Sequence, residues 1–156
     1  MKQIALTNST RFALLDDDDA VKWGGLLWKM SKDRKGNSYA VTRLGGRSKS
    51  MHRLVMGEPH GLVVDHRDGD GLNCQKDNLR AGTQSQNMGN AKKHTDAKIK
   101  SKGVSLDKAT GKYRAAICIQ GQRIRIGRFD TEAEAAAAYD RHAKTFFGDF
   151  ARTNQK

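Results

Sequence analysis

Residues 65–94 read DHRDGDGLNCQKDNLRAGTQSQNMGNAKKH, and this stretch decides the fold. Just before it, Leu62-Val63-Val64 is a short apolar run ending at Asp65-His66, the pattern of a buried strand. A polar loop follows over 67–77, with glycine at 69 and 71. Asn78-Leu79-Arg80 then leads to Thr83-Gln84-Ser85-Gln86, where Thr83 and Gln86 have capping-box spacing, so a helix is predicted from Thr83. Asn87, Asn90 or Ala91, and His94 fall on one face of that helix. The order strand, loop, helix gathers polar groups on one side.

These residue types suit phosphodiester hydrolysis. A water must lose a proton, charge building on the phosphate must be neutralised, and the leaving oxygen must be stabilised. A neutral imidazole does the first near pH 7, because its unperturbed pKa is about 6.5. One divalent cation does the other two if it touches both the phosphate and the leaving oxygen. Hard oxygen ligands suit magnesium, which keeps waters and binds few protein groups. His66 therefore fits as base, and Asp65 and Asn87 fit as metal ligands. Neighbours on a regular strand point to opposite faces, so the strand has to end or bulge at Asp65-His66. The glycines that follow allow either.

Composition points to the partner. Lys and Arg number 29 against 17 Asp and Glu in 156 residues, a formal charge of +12. Residues 1–94 carry 16 basic and 10 acidic side chains and residues 95–156 carry 13 and 7, so each part contributes +6. The excess is spread over the molecule and not held in a basic tail; such a surface attracts polyanions, with nucleic acid the leading candidate. An anionic membrane is disfavoured, since the chain has neither an amphipathic basic helix nor an apolar anchor. It has no run of about 18 apolar residues, so no transmembrane helix is expected, and MKQIALTNSTRF lacks the apolar core of a secretion signal. Cys74 and Cys118 lack partners at zinc-ligand spacing, so both are expected reduced in a cytoplasmic compartment, without structural zinc.

Outside the motif core 61–94, WKMSKDRKGNSYAVTR (28–43) reads as a hairpin with its turn at Asp33–Asn37. Asp16–Asp19 reads as a solvated turn or the first turn of a helix over Val21–Met30. Residues 95–101 form a polar basic linker. Over 102–156, three strands are predicted, with turns at Lys108–Lys112 and Gln120–Gln122. Tyr113, Ala115, Ile117 and Ile119 share one face, as do Ile124 and Ile126; Arg114, Arg123 and Arg125 take the other. Thr131 and Glu134 form a second capping box, opening an Ala-rich helix to about Phe147.

Asp-His, then Asn in an Asn-Leu-Arg context, then Asn on the following helix resembles the HNH endonucleases, the ββα-metal or His-Me finger nucleases, and among them the homing-type enzymes of phages. The resemblance implies His66 as general base, Asp65 and Asn87 on a single metal, and Asn78 fixing the loop that aims His66. His94 would supplement the site or touch DNA. Asn87 stands where many relatives carry His, which implies a weaker metal ligand. His52, in Met51-His52-Arg53, resembles a segment that precedes the motif and is given a structural role. His60 and His142 are read as surface or packing residues. Arg53, Arg67 and Arg80 either steer the DNA backbone or form plain salt bridges.

Lys102-Gly103-Val104, Gly111-Lys112-Tyr113, Ile126-Gly127-Arg128-Phe129-Asp130 and Glu134–Asp140 resemble the Apetala-type (ethylene-response-factor) DNA-binding domain. Such domains lay a three-stranded sheet, backed by one helix, in the major groove. The outward set here is Lys102, Arg114, Arg123 and Arg125, with Ser105, Gln120 and Arg128 at its margin. Arg125 and Ala116 occupy the family's tryptophan and glutamate contact positions, so the family's target sequence is not carried over. The expectation is an α+β chain: an HNH nuclease domain over 1–94 and a DNA-reading domain over 102–156. It would act as a magnesium-dependent homing nuclease of a phage or mobile element, monomer or weak dimer, in the host cytoplasm. The rivals are a sequence-specific regulator with an inactive nuclease fold and a non-specific phage DNA-processing nuclease.

Overall fold

A computed structural model describes residues 1–91 and 99–155. The chain is mixed helix and strand, and it divides into two compact units, Met1–Thr83 and Gln84–Lys156. Among the described residues no helix is long and apolar enough to cross a membrane.

The first unit opens with an antiparallel pair, Lys2–Ala5 (β1) and Phe12–Leu15 (β2). A short helix, Asp17–Trp23 (α1), follows. The acidic run is this helix's first turn, and the helix stops at Gly24-Gly25 instead of running to Met30. Two of the four carboxylates bind one short stretch of chain: Asp16 accepts from the Lys76 amide and the Gln75 side chain, and buried Asp19 pairs with the Lys76 ammonium at 3.0 Å. The predicted hairpin is present as Lys29–Lys32 (β3) and Ser38–Leu44 (β4), with Arg47–Ser50 (β5) added as a third strand. Its turn is fixed by Asp33, whose carboxylate accepts from the amides of Lys35 and Asn37 and the side chain of Asn37.

Helix Met51–Val55 (α2) leads to Val63–His66 (β6), which pairs antiparallel with Leu79–Gly82 (β7). The core under these elements contains Leu15, Trp28, Ala40, Met51, Leu72, Cys74 and Leu79. The loop between β6 and β7 belongs to that core. The Leu14 amide donates to the Leu72 carbonyl and the Cys74 amide to the Leu14 carbonyl. Gly71 is required by close approach, since a Cβ there would lie 2.3 Å from the Ser38 carbonyl oxygen and 2.7 Å from the Tyr39 ring.

The second unit begins with Gln84–Asn90 (α3), one residue after Thr83. An antiparallel sheet of Val104–Leu106 (β8), Tyr113–Ile119 (β9) and Gln122–Phe129 (β10) follows, in the order β10-β9-β8. Helix Glu132–Phe147 (α4) covers one face, and both halves of the Thr131–Glu134 capping box are formed. Its small Ala135, Ala136, Ala138 and Ala143 are buried, as are Ala115 and Ile117 of β9.

One detail of β10 departs from simple alternation. A bulge between Arg125 and Gly127 shifts the register, so Arg128 lies opposite Arg114. Without it, Arg128 would alternate to the face opposite Arg123 and Arg125. Ile126 packs on the core, while Ile124, expected inward, is 40% exposed near the hairpin end. That hairpin turns through Gln120 and Gly121, both at positive φ (50° and 82°), as a two-residue turn with matching twist requires.

Candidate functional site

In the first unit, β6 and β7 pair without a register shift. Asp65 lies opposite Arg80, whose Nε and Nη2 donate to Asp65 Oδ2 at 2.9 and 2.7 Å. Both side chains are about nine-tenths buried, with exposures of 9% and 11%. Arg80 thus forms a buried ion pair and is no backbone-steering surface cation. Arg53 is half-buried, and its guanidinium donates to the carbonyls of Leu62 and Pro59.

His66 leaves β6 on the other side and is buried. Its ring centroid lies 5.0 Å from that of His52, edge-on, and 6.0 Å from that of Tyr39. Tyr39 and His52 are themselves 5.5 Å apart. Burial lowers the His66 pKa from its usual value; the carboxylates of Asp68, Asp65 and Asp70 oppose this and are outweighed. The imidazole is therefore neutral at pH 7, the form a general base needs. Burial, with His66 and Arg53 nearby, pushes the His52 pKa down to about 3.

β6 runs through both residues to end at His66, so Asp65 and His66 stand on opposite sides of the strand. The loop that follows is closed by Asn78. Its side-chain nitrogen donates to Asp68 Oδ1 at 3.0 Å and to the Asn73 carbonyl at 2.8 Å, while its Oδ1 accepts from the Asp68 amide. Its backbone carbonyl accepts from the Arg67 amide at 2.9 Å. Burial opposes ionisation of Asp68, yet donors from Asp70, Asn73 and Asn78 hold its carboxyl below the usual range. Asp70 accepts from the Leu72 amide and pairs with Arg11. Both loop carboxylates are structural.

The resemblance implies a divalent ion held by Asp65 and Asn87. Among the described residues no group of three or more His, Cys, Asp or Glu could hold a metal. The implied donors are one carboxylate and one amide carbonyl, both hard oxygens, and magnesium binds through so few protein groups while keeping waters. These residue types are of the kind that magnesium accepts. Asn87 stands on α3, in the second unit. His94 lies outside the described residues.

α3 has a definite seat in that second unit. Gly89 is buried against α4, where a Cβ would meet the Phe147 side chain at 2.6 Å. The Gly89 carbonyl accepts from the Arg152 amide and from the Lys102 ammonium, and the Gln120 amide donates to Ser85 Oγ. The expectation that Lys102 joins the outward cations is corrected here. Its ammonium points to the C-terminal carbonyls of α3, and burial, with Arg152 nearby, lowers its pKa to about 8.

The sheet face away from α4 carries the remaining set. Cross-strand register puts Ser105, Arg114 and Arg128 in one row, Ala116 with Arg125 in the next and Cys118 with Arg123 in the third. All four arginines lie on this face, and the bulge brings Arg128 fully into it. Arg114 also donates to Asp107 at 2.8 Å, and that hydrogen bond, ahead of other causes, keeps the Asp107 carboxyl below its usual range. Gln120 stands at the β9–β10 turn.

Sequence reading alone missed Tyr39 and the contact of His52 with His66. His52 was visible as a motif-flanking residue, but Tyr39 arrives from β4 with no local signal.

Comparison with known families agrees with both halves. Residues 51–89 match the family model for HNH endonuclease, and residues 99–148 match that of the AP2 domain. A protein of Acanthamoeba polyphaga mimivirus, described as an uncharacterized HNH endonuclease, is 32% identical over 134 residues. The match takes in 82% of this chain and 66% of that relative, just under two thirds of its length.

Proposed function

We propose, for a chain that belongs to the HNH endonucleases and carries an AP2 domain, that it is a magnesium-dependent endonuclease positioned on duplex DNA by its C-terminal sheet. The observation that carries this reading is His66. It is a buried, neutral imidazole at the end of β6, on a loop closed by Asn78, inside the segment that matches the HNH model.

In this mechanism His66 accepts the proton of the attacking water. Asn78 is a positioning residue, holding the loop so that the ring keeps its aim. Arg80 fixes the Asp65 carboxylate, and Asp65 with Asn87 would hold the ion. That ion, when bound, supplies charge neutralisation at the phosphate and stabilises the leaving oxygen. The products are a 3′-hydroxyl and a 5′-phosphate. One site per chain yields a nick, and a double-strand break requires two chains or two events. Arg114, Arg123, Arg125 and Arg128, with Ser105 and Gln120, contact DNA; arginine makes paired hydrogen bonds to guanine, while others of the set meet phosphates alone. The setting is a homing nuclease of a virus or mobile element, acting in the host cytoplasm; the viral source of the relative supports this.

A DNA-binding regulator with an inactive nuclease fold is the second reading. One observation favours it: the Arg80 guanidinium already neutralises Asp65. Incubation with supercoiled plasmid, in magnesium or in chelator, separates the two. Relaxed circles in magnesium alone, lost in His66→Ala with DNA retention intact, support the nuclease. Retention without cleavage in either condition rejects it, and equal cutting of every duplex points to non-specific DNA processing.

A further inference from the structure

We propose that the outward face of the β3–β4–β5 sheet is a second DNA-contacting surface, a track for backbone phosphates that starts beside His66. The nature of the polyanion rests on the nuclease reading above. Along β4, Ala40 and Thr42 turn into the core, so Tyr39, Val41 and Arg43 share the opposite face. Register completes that face with Ser31 opposite Tyr39, Lys29 opposite Val41 and Ser48 opposite Arg43. Lys29, Ser31, Arg43 and Ser48 are exposed. Tyr39 and Val41 on this face are half-buried, and its serine hydroxyls are small enough for a backbone to approach closely. Tyr39 sits at one end, with its ring against those of His52 and His66.

Charge identifies the occupant. Between residues 20 and 57 the only acid is Asp33, and its oxygens are taken by the turn it closes. Lys49 pairs with Glu58, and Arg53 is bound to carbonyls. Lys29, Lys32, Arg34, Lys35, Arg43 and Arg47 remain exposed, with no carboxylate at ion-pair distance among the described residues. A cationic, hydroxyl-lined surface free of acids binds phosphate oxygens without reading bases. It would hold the duplex on the nuclease side, independently of the AP2 sheet.

The test compares the full-length chain with its Lys29→Ala/Arg43→Ala variant on one linear duplex between 50 and 300 mM KCl. The variant should bind more weakly, and its plot of log affinity against log salt should be shallower by about 1.8, at roughly 0.9 for each phosphate no longer neutralised. Preference among duplex sequences and the urea midpoint of tryptophan fluorescence should not change. Lys29→Glu/Arg43→Glu should exaggerate the loss. Unchanged affinity and slope overturn the proposal. So does a variant that keeps DNA binding but loses binding to anionic vesicles, which would assign the face to lipid. If the wild-type chain proves unable to nick DNA, the nuclease reading fails, while the salt slope still decides whether this face holds DNA.

Discussion

The ring of His52 meets the ring of His66 edge-on, with centroids 5.0 Å apart and planes at 75°. Two imidazoles packed this way exclude water from each other, and neither is easily charged. His52 is held neutral down to about pH 3, whereas in the unfolded chain it titrates near 6.5. Protons therefore bind the unfolded chain preferentially between those values. The contribution of neutral His52 is present above about pH 6.5 and is lost as pH falls, by about 1.4 kcal/mol per pH unit. Both tryptophans, Trp23 and Trp28, lie in the first unit, so their fluorescence reports its unfolding alone. Urea midpoints should fall with acidification over this window, and His52→Phe should flatten the dependence by one proton. An identical slope in the variant would show that His52 is not held neutral.

Removing Arg80 should cost far more than a surface ion pair. Arg80→Met leaves the Asp65 carboxylate buried beside an apolar chain, and breaking such a pair costs about 3–5 kcal/mol. The same tryptophan probe measures it. A loss under about 1 kcal/mol would mean that water reaches the pair.

Asn78→Asp keeps the acceptor for the Asp68 amide and removes the donors to Asp68 and Asn73, setting two carboxylates against each other. Plasmid nicking should fall at least about a hundredfold, in the range expected when a general base is misplaced, while duplex retention stays unchanged. Full nicking would reduce Asn78 to an ordinary turn residue.

On the C-terminal sheet, Arg125→Ala with Arg128→Ala should relax site preference and flatten the salt dependence of binding by about 0.9 for each phosphate that either arginine neutralises. Lys102→Met is the internal control. Its ammonium faces the Gly89 carbonyl, so the salt slope should not change. A large effect of Lys102→Met would return that side chain to the DNA-facing set.

Much of this was legible in the sequence because local signals agree with the fold. Both hairpins, the capping box at Thr131 and the alternation of β9 depend on neighbours a few residues apart. The bulge after Arg125 was not legible, because one extra residue in a strand leaves no mark in composition. The surroundings of His66 were hidden for a different reason. Tyr39 reaches it from 27 positions upstream in the chain, brought there by the β3–β4–β5 sheet. The fate of Arg80 was open for the same kind of reason: surface cation and buried partner look alike until β6 and β7 are paired.

Finally, the seating of α3 bears on how such a chain can be recombined. The last helix of the nuclease motif is packed by Phe147, tied by Arg152 and capped by Lys102, all from the second unit. A chimera made to change the target by swapping at 95–101 would strip that helix of its packing while leaving every motif residue in place. A crossover between Thr83 and Gln84 would move the helix together with the partners that hold it.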